Sequence, residues 1–251
     1  MVRSDFLLFC WLVFSHWAAY PFFISARPIH ELPPMKTDTL TLMDQMSKSK
    51  KPVVAVYLHD GIEILDVAAP LEIFTVAGME VFTVGLGRNL IRSQGVLPIK
   101  PEYTLDNCPK ADIVVFVGGN GANAARNPEV QRWIRKIAAS TPQFFTVCTG
   151  AFFLAEAGQL RGKTVTTFHE SIPSLQKLSG DTVVLKNTRF VDDGNVITTA
   201  GVSAGIDGSL YVVEKWMGRQ VAQQVVDYIE YRCWDPSQGV IIEDSGNKTK
   251  P

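Results

Sequence analysis

Apolar and polar positions fall along this chain in short blocks that separate strands from helices before any motif is considered. Val53 to Leu58 is a near-continuous apolar run, suited to a parallel strand covered on both faces. Ile64 to Ala77 then has the spacing of a buried helix, and Glu80 to Leu86 returns to strand. A short strand is predicted near Val96 to Ile99, and a longer one over Ile113 to Val117 leads into Gly118-Gly119-Asn120-Gly121. Pro128 to Ala139 reads as a helix, Phe144 to Val147 as a strand, and Phe152 to Ala157 as a helix stopped by Gly158. Lys163 to Thr167, Thr182 to Leu185, Arg189 to Val191 and Val196 to Thr199 are predicted strands, with a helix over Ser171 to Leu178. The last two strands are joined by Asp192-Asp193-Gly194-Asn195. Ser203 to about Tyr231 gives one or two long helices, broken or bent near Gly218. Strands alternating with helices in this order predict an α/β fold: a doubly wound, mostly parallel sheet sandwiched by helices, with ligands at the carboxyl ends of the strands.

Where the apolar strand Phe144 to Val147 meets Cys148-Thr149-Gly150-Ala151, the pattern is that of a nucleophile elbow. A thiol on such a turn points out of the sheet, near helix amides that favour the thiolate, so Cys148 is expected to be the readily alkylated cysteine. The competing reading is a small buried core residue. Gly118, Gly119 and Gly121, at the end of another strand, permit close backbone approach to a substrate or supply oxyanion-type N–H donors. Asp66, just after the first strand, has two readings: a carboxyl partner facing the same cleft, or a helix N-cap with Pro70 in the first turn.

Composition narrows the partners. In 251 residues, 24 Lys and Arg balance 25 Asp and Glu for a net charge of −1, without a basic stripe, so a small-molecule substrate is expected rather than nucleic acid. The amino terminus differs from the rest. Arg3 precedes an apolar run from Phe6 to Phe14, and no further charge appears after Asp5 until Arg27, the pattern of a signal peptide or an anchor over residues 1–26. That implies a secreted or periplasmic protein, touching a membrane only if the segment stays uncleaved. A start at Met35, Met43 or Met46 would instead leave it cytoplasmic. Residues 27–51, with Pro33-Pro34 and a lysine-rich end, read as a linker, 52–235 as the globular domain and 236–251 as a flexible tail. Cys108, Cys148 and Cys233 have no metal-type or disulfide spacing, so free thiols and no metal are expected.

Leu65-Asp66 with Pro70, Val117 to Gly121, Val147 to Gly150, and Thr199 to Asp207 together resemble the ThiJ/PfpI superfamily over about residues 53 to 232. The sequence is most similar to the isonitrile hydratase branch, which also has Asp at the position of Asp66 and Cys-Thr at the elbow. The resemblance implies a glutamine-amidotransferase-like (flavodoxin-like) fold with a nucleophile elbow, a homodimer, and no cofactor. It also implies Cys148 as nucleophile with Asp66 as its carboxylate partner, Thr149 completing the catalytic set. Peptidases of the superfamily place a His directly after the nucleophile, where this chain has Thr149. Many relatives follow the Thr-Thr pair with His; here Thr166-Thr167 is followed by Phe168, and His169 comes one place later. If His169 reached Cys148, a Cys-His-acid triad would result; otherwise it is a helix-edge residue. Attack of the thiolate on an isonitrile carbon, with Asp66 handling the proton, would give a formamide. Glyoxalase- or deglycase-like chemistry and a redox-sensing cysteine are alternative uses of the same pair. So is a non-catalytic sensor like the ligand domain of AraC-type regulators, although only about twenty residues follow Tyr231, too few for a helix-turn-helix pair.

Overall fold

The computed structural model describes residues 50–243. The expected signal or anchor, and all but the last two residues of the expected linker, lie outside them. In chain order the elements are β1 (Val53–Leu58), α1 (Ile64–Val76), β2 (Glu80–Gly85), β3 (Ile91–Arg92), β4 (Pro98–Ile99), β5 (Tyr103–Thr104), β6 (Ile113–Phe116), α2 (Ala122–Ala125), α3 (Pro128–Ile137) and β7 (Gln143–Thr146). There follow α4 (Ala151–Glu156), β8 (Thr164–Val165), α5 (Ile172–Leu178), β9 (Val183–Val184), β10 (Phe190–Asp193), β11 (Val196–Thr199), α6 (Ala204–Met217), α7 (Arg219–Tyr228) and β12 (Gly239–Ile241).

Eight strands form one sheet in the order β12-β10-β11-β7-β6-β1-β2-β5. Every pairing in it is parallel except the β10–β11 hairpin. Successive side chains of a strand point to opposite faces, and β7 shows which helices cover each. The Phe144 ring lies 6.3 Å from Phe116, within the cluster that α3 and α4 complete, whereas Phe145 lies 6.0 Å from Phe74 of α1. The first layer holds α2 to α5 and the second α1, α6 and α7, so the sheet is covered on both sides as the apolar runs require. Among the described residues no helix is long and apolar enough to cross a membrane.

Several elements differ from expectation for identifiable reasons. Pro70 lies inside α1 rather than in its first turn, because the helix begins at Ile64. Burial of Val67, Ala69, Ile73 and Phe74 against the sheet outweighs the hydrogen bond that proline forfeits. The strand expected near Val96 shrinks to Pro98–Ile99 and pairs with β3 away from the main sheet. Residues placed in the flexible tail form a turn at Pro236–Gln238 and then β12, which pairs with β10 and so protects that strand's open edge.

Between β1 and β6 the strand order reverses, and the crevice opens at their carboxyl ends. Phe116, at the end of β6, is fully buried between Tyr57, Trp133, Phe144 and Phe153, with the Phe153 ring stacked at 5.3 Å. Phe116→Ala is expected to cost about 3–5 kcal/mol in urea unfolding, because so many fixed rings cannot all close on the cavity. A loss below about 1 kcal/mol would show that the cluster collapses freely.

Candidate active site

Three strand ends supply the site. After β1 the chain turns at Gly61 and enters α1, whose third residue is Asp66. After β6 comes Gly118, and after β7 comes Cys148. Main-chain bonds zip the first two turns together: Glu63 N–H donates to Gly118 C=O at 3.1 Å and Asn120 N–H to Gly61 C=O at 2.8 Å. Gly118 N–H then donates to Asp66 Oδ2 at 3.1 Å. A Cβ at Gly118 would come within 2.7 Å of Asp66 Oδ2, Cys148 Cβ and Thr149 N, so only glycine lets the three elements converge here.

Cys148 takes a left-handed backbone conformation, φ 59°, which marks the elbow. Its N–H donates to Ala200 C=O at 3.1 Å and its own carbonyl accepts from Thr167 Oγ1 at 2.7 Å, so the strained residue is held on both sides. The thiol is buried, at 6% exposure, and faces the Asp66 carboxyl group. The Val202 N–H favours the ionised form of both the thiol and the carboxyl group, and the Thr149 N–H that of the thiol.

Electrostatics in this crevice run against one expectation. Burial first, and then the charge of Asp66, push the Cys148 thiol up to about 12, although the Thr149 and Val202 amides act in the opposite direction. The elbow alone was expected to lower it. Asp66 is raised to about 6, chiefly by burial, with the bonds from Cys148, Gly118 and Val202 limiting the rise. It is not a helix cap: Glu63 holds the N-cap position without a side-chain bond, and Asp66 is wholly buried with Oδ1 lacking a hydrogen-bond partner.

Gly118 and Gly119 differ from their expected role as free donors. Gly118 N–H is engaged by Asp66, and Gly119 N–H donates to Thr149 Oγ1 at 3.1 Å while that hydroxyl donates back to Gly119 C=O at 3.1 Å. At Gly121 the close approach is to His59, whose Cε1 would lie 2.6 Å from a Cβ there. His169 is outside the site: its side chain is 76% exposed and 3.8 Å from Glu170 Oε1, so no triad forms through it.

Sequence reasoning missed His59, Thr167 and Val202. His59 closes the apolar run of β1, buried under the glycine turn, with Nε2 3.2 Å from Val117 C=O and Nδ1 2.9 Å from Asp60 C=O. Burial holds its pKa below the usual histidine value. Val202 acts through its backbone, which leaves no side-chain signature; a β-branched residue at φ 49° is visible only in three dimensions.

Two cavities flank the glycine turn. One of about 480 Å³ touches Gly119, Thr149, Phe152, Glu156 and Ser171; a larger one of about 550 Å³ lies behind His59 and Asn120. The first is lined by Thr149, the residue after Cys148, and by Gly119, and is the better place for a substrate, since size without chemistry does not define a site. Among the described residues no group of three His, Cys, Asp or Glu side chains is placed to hold a metal ion.

Residues 52–215 match the DJ-1/PfpI family. The isonitrile hydratase of Pseudomonas putida is 31% identical over 179 residues, 69% of this chain and 76% of that protein. The HTH-type transcriptional regulator GbdR of Pseudomonas aeruginosa is 28% identical over 182 residues, 69% of this chain but 49% of the regulator. A ThiJ/PfpI family protein from Pseudomonas syringae superposes with a TM-score of 0.71 at 25% identity, covering 87% of this chain and 86% of the other.

Two outcomes follow from the buried pair. Near neutral pH iodoacetamide should label exposed Cys233 before Cys148, read by peptide mass spectrometry, and Asp66→Asn should speed Cys148 labelling about tenfold for each unit by which its pKa falls. Unchanged labelling in that variant would show that the carboxyl group does not govern the thiol. Because Asp66 is raised in the folded state, its contribution to stability is full below the unfolded value and is lost as pH rises through about 6. The melting temperature of Asp66→Asn relative to wild type should therefore increase from pH 4 to pH 7, by the equivalent of about 2 kcal/mol. A flat difference would remove the burial argument.

Proposed function

The chain belongs to the DJ-1/PfpI family, and on that premise we propose that it is a cysteine-dependent hydratase acting on a small electrophile of the isonitrile type. One observation carries this reading: the buried Asp66 carboxyl group, tuned near 6 and with one oxygen unpartnered, lies against the Cys148 thiol on its strained turn. A thiol held in the protonated state needs a base at the moment of attack, and Asp66 is the group within reach.

In this reading the Cys148 proton passes to Asp66 as sulfur bonds to the terminal isonitrile carbon. Asp66 returns that proton to the same carbon, giving a thioimidate. Water then adds to the carbon, the carbon–sulfur bond breaks, one water proton restores the thiol and the other ends on nitrogen. The product is an N-substituted formamide, and the balance is one isonitrile plus one water. Thr149 belongs to the set through its N–H toward the sulfur and its hydroxyl fixing Gly119, while the 480 Å³ cavity takes the substituent. A homodimer, and export by the leader-like segment, complete the proposal; the first rests on the family resemblance and the second on the sequence.

A second reading is favoured by the match to a transcriptional regulator: a sensor that binds a small molecule at the same crevice without turnover. Incubation of the purified protein with cyclohexyl isonitrile, with formamide followed by NMR, separates the two. Turnover is expected, with Cys148→Ala inactive and Asp66→Asn reduced at least about a hundredfold, within the range of general acid–base catalysis. Since Asp66 must be ionised to accept the thiol proton, kcat/KM should fall as pH drops below about 6. Saturable binding without formamide would favour the sensor, and full activity in Asp66→Asn would end the proton-shuttle mechanism.

A further inference from the structure

We infer that Arg189 is a positioning residue for the Cys148–Asp66 pair: clamped on Asp207 and Ser203, it fixes the turn from Ala200, whose carbonyl holds the Cys148 N–H, through Val202 into α6.

Val202 is β-branched and sits at φ 49°, a conformation that costs on the order of 1–3 kcal/mol and persists only where the surroundings impose it. Its local bonds, Ala204 N–H to Gly201 C=O at 3.1 Å and Gly205 N–H to Val202 C=O at 3.0 Å, continue into α6 without anchoring the turn to the sheet. Arg189 supplies the anchor twice. Through the main chain, Arg189 C=O accepts from Ala200 N–H at 3.0 Å, and Ala200 C=O in turn accepts from Cys148 N–H at 3.1 Å. Through the side chain, Nε donates to Asp207 Oδ2 at 2.7 Å, a second nitrogen bonds the same oxygen, and the guanidinium reaches Ser203 Oγ at 3.3 Å.

Ser203 is the residue after Val202, and Asp207 lies one turn into α6, so the planar guanidinium spans the turn and the helix that follows it. Asp207 is 3% exposed, and its other oxygen accepts from Tyr231 Oη at 3.2 Å. A buried carboxylate with both oxygens bonded gives Arg189 a fixed point. Losing Arg189 would leave that charge uncompensated and release the turn that carries Val202 and, through the Ala200 carbonyl, the Cys148 N–H.

A second buried ion pair provides the control. Asp192 is held by Tyr211 Oη at 2.6 Å and Lys215 Nζ at 2.8 Å, on β10 and α6, and makes no bond to the turn at Val202. The readout is the iodoacetamide rate at Cys148 at pH 8, measured peptide by peptide with Cys233 as internal reference, so it stands whatever the substrate proves to be. Below the thiol's pKa this rate follows the thiolate fraction, and loss of one N–H donor to sulfur lowers it. Arg189→Met should slow Cys148 labelling about threefold or more, half a unit of pKa, with partial recovery in Arg189→Lys. Lys215→Met should lower the melting temperature without changing that rate. An unchanged or faster rate in folded Arg189→Met, or an equal slowing in Lys215→Met, would overturn the proposal. Should Arg189→Met fail to fold, Ser203→Ala and Tyr231→Phe make the same comparison against Lys215→Met, and wild-type rates in both would overturn it equally.

Discussion

Gly118 lets a carboxyl group and a thiol meet in a place largely closed to solvent. Its missing side chain lets β6, the elbow after β7 and the start of α1 close on one another, and its N–H then holds Asp66 in the space so made. Once there, the two acids are not independent. A charge on either raises the cost of a charge on the other, and burial raises the cost of both, so the pair carries at most one negative charge through the neutral range. The chemistry assigned to the site follows from that restriction: a proton can move between the partners, but both cannot lose theirs.

The sheet makes such a site affordable. Cys148 and Val202 both occupy left-handed backbone conformations, and both sit directly beyond strands packed on two faces. Strain of this kind survives only where the elements that flank it cannot relax. The aromatic cluster around Phe116 fixes the ends of β6 and β7 on one face, and α1 with α6 does so on the other. The helix carrying Asp66 therefore has the same support as the strand carrying Cys148, and packing on both faces sets where they meet.

Much of this architecture was legible in the chain. Continuous apolar runs marked the buried parallel strands β1, β6 and β7, and Gly218, at φ 90°, broke the last helical region where its sequence suggested. Cys148 and Asp66 could be named as a pair because side-chain chemistry at strand ends is readable. What escaped was what backbone atoms do. Val202 acts through an N–H common to nearly every residue type, and Gly118 and Gly119 spend their amides inside the site instead of offering them to a ligand. The thiol's titration was misjudged for the same reason, since helix amides were weighed without the burial that only the folded crevice reveals. His169 drew attention because its position nearly matched a familiar pattern; one residue's displacement puts Phe168 against Gly201 and turns His169 to solvent.

That displacement also bears on what the site can do. An imidazole near the thiol would take its proton at rest and make a standing nucleophile. Here the buried imidazole among the described residues, His59, sits under the glycine turn between two main-chain carbonyls, so proton control falls to a carboxyl group raised to about 6. A carboxyl group of that acidity draws the thiol proton only weakly, so sulfur gains charge as it bonds and not before. Such a site favours electrophiles that take up the proton as quickly as they take up the sulfur, and an isonitrile carbon, which must gain both, meets that demand more closely than an ester or amide carbonyl.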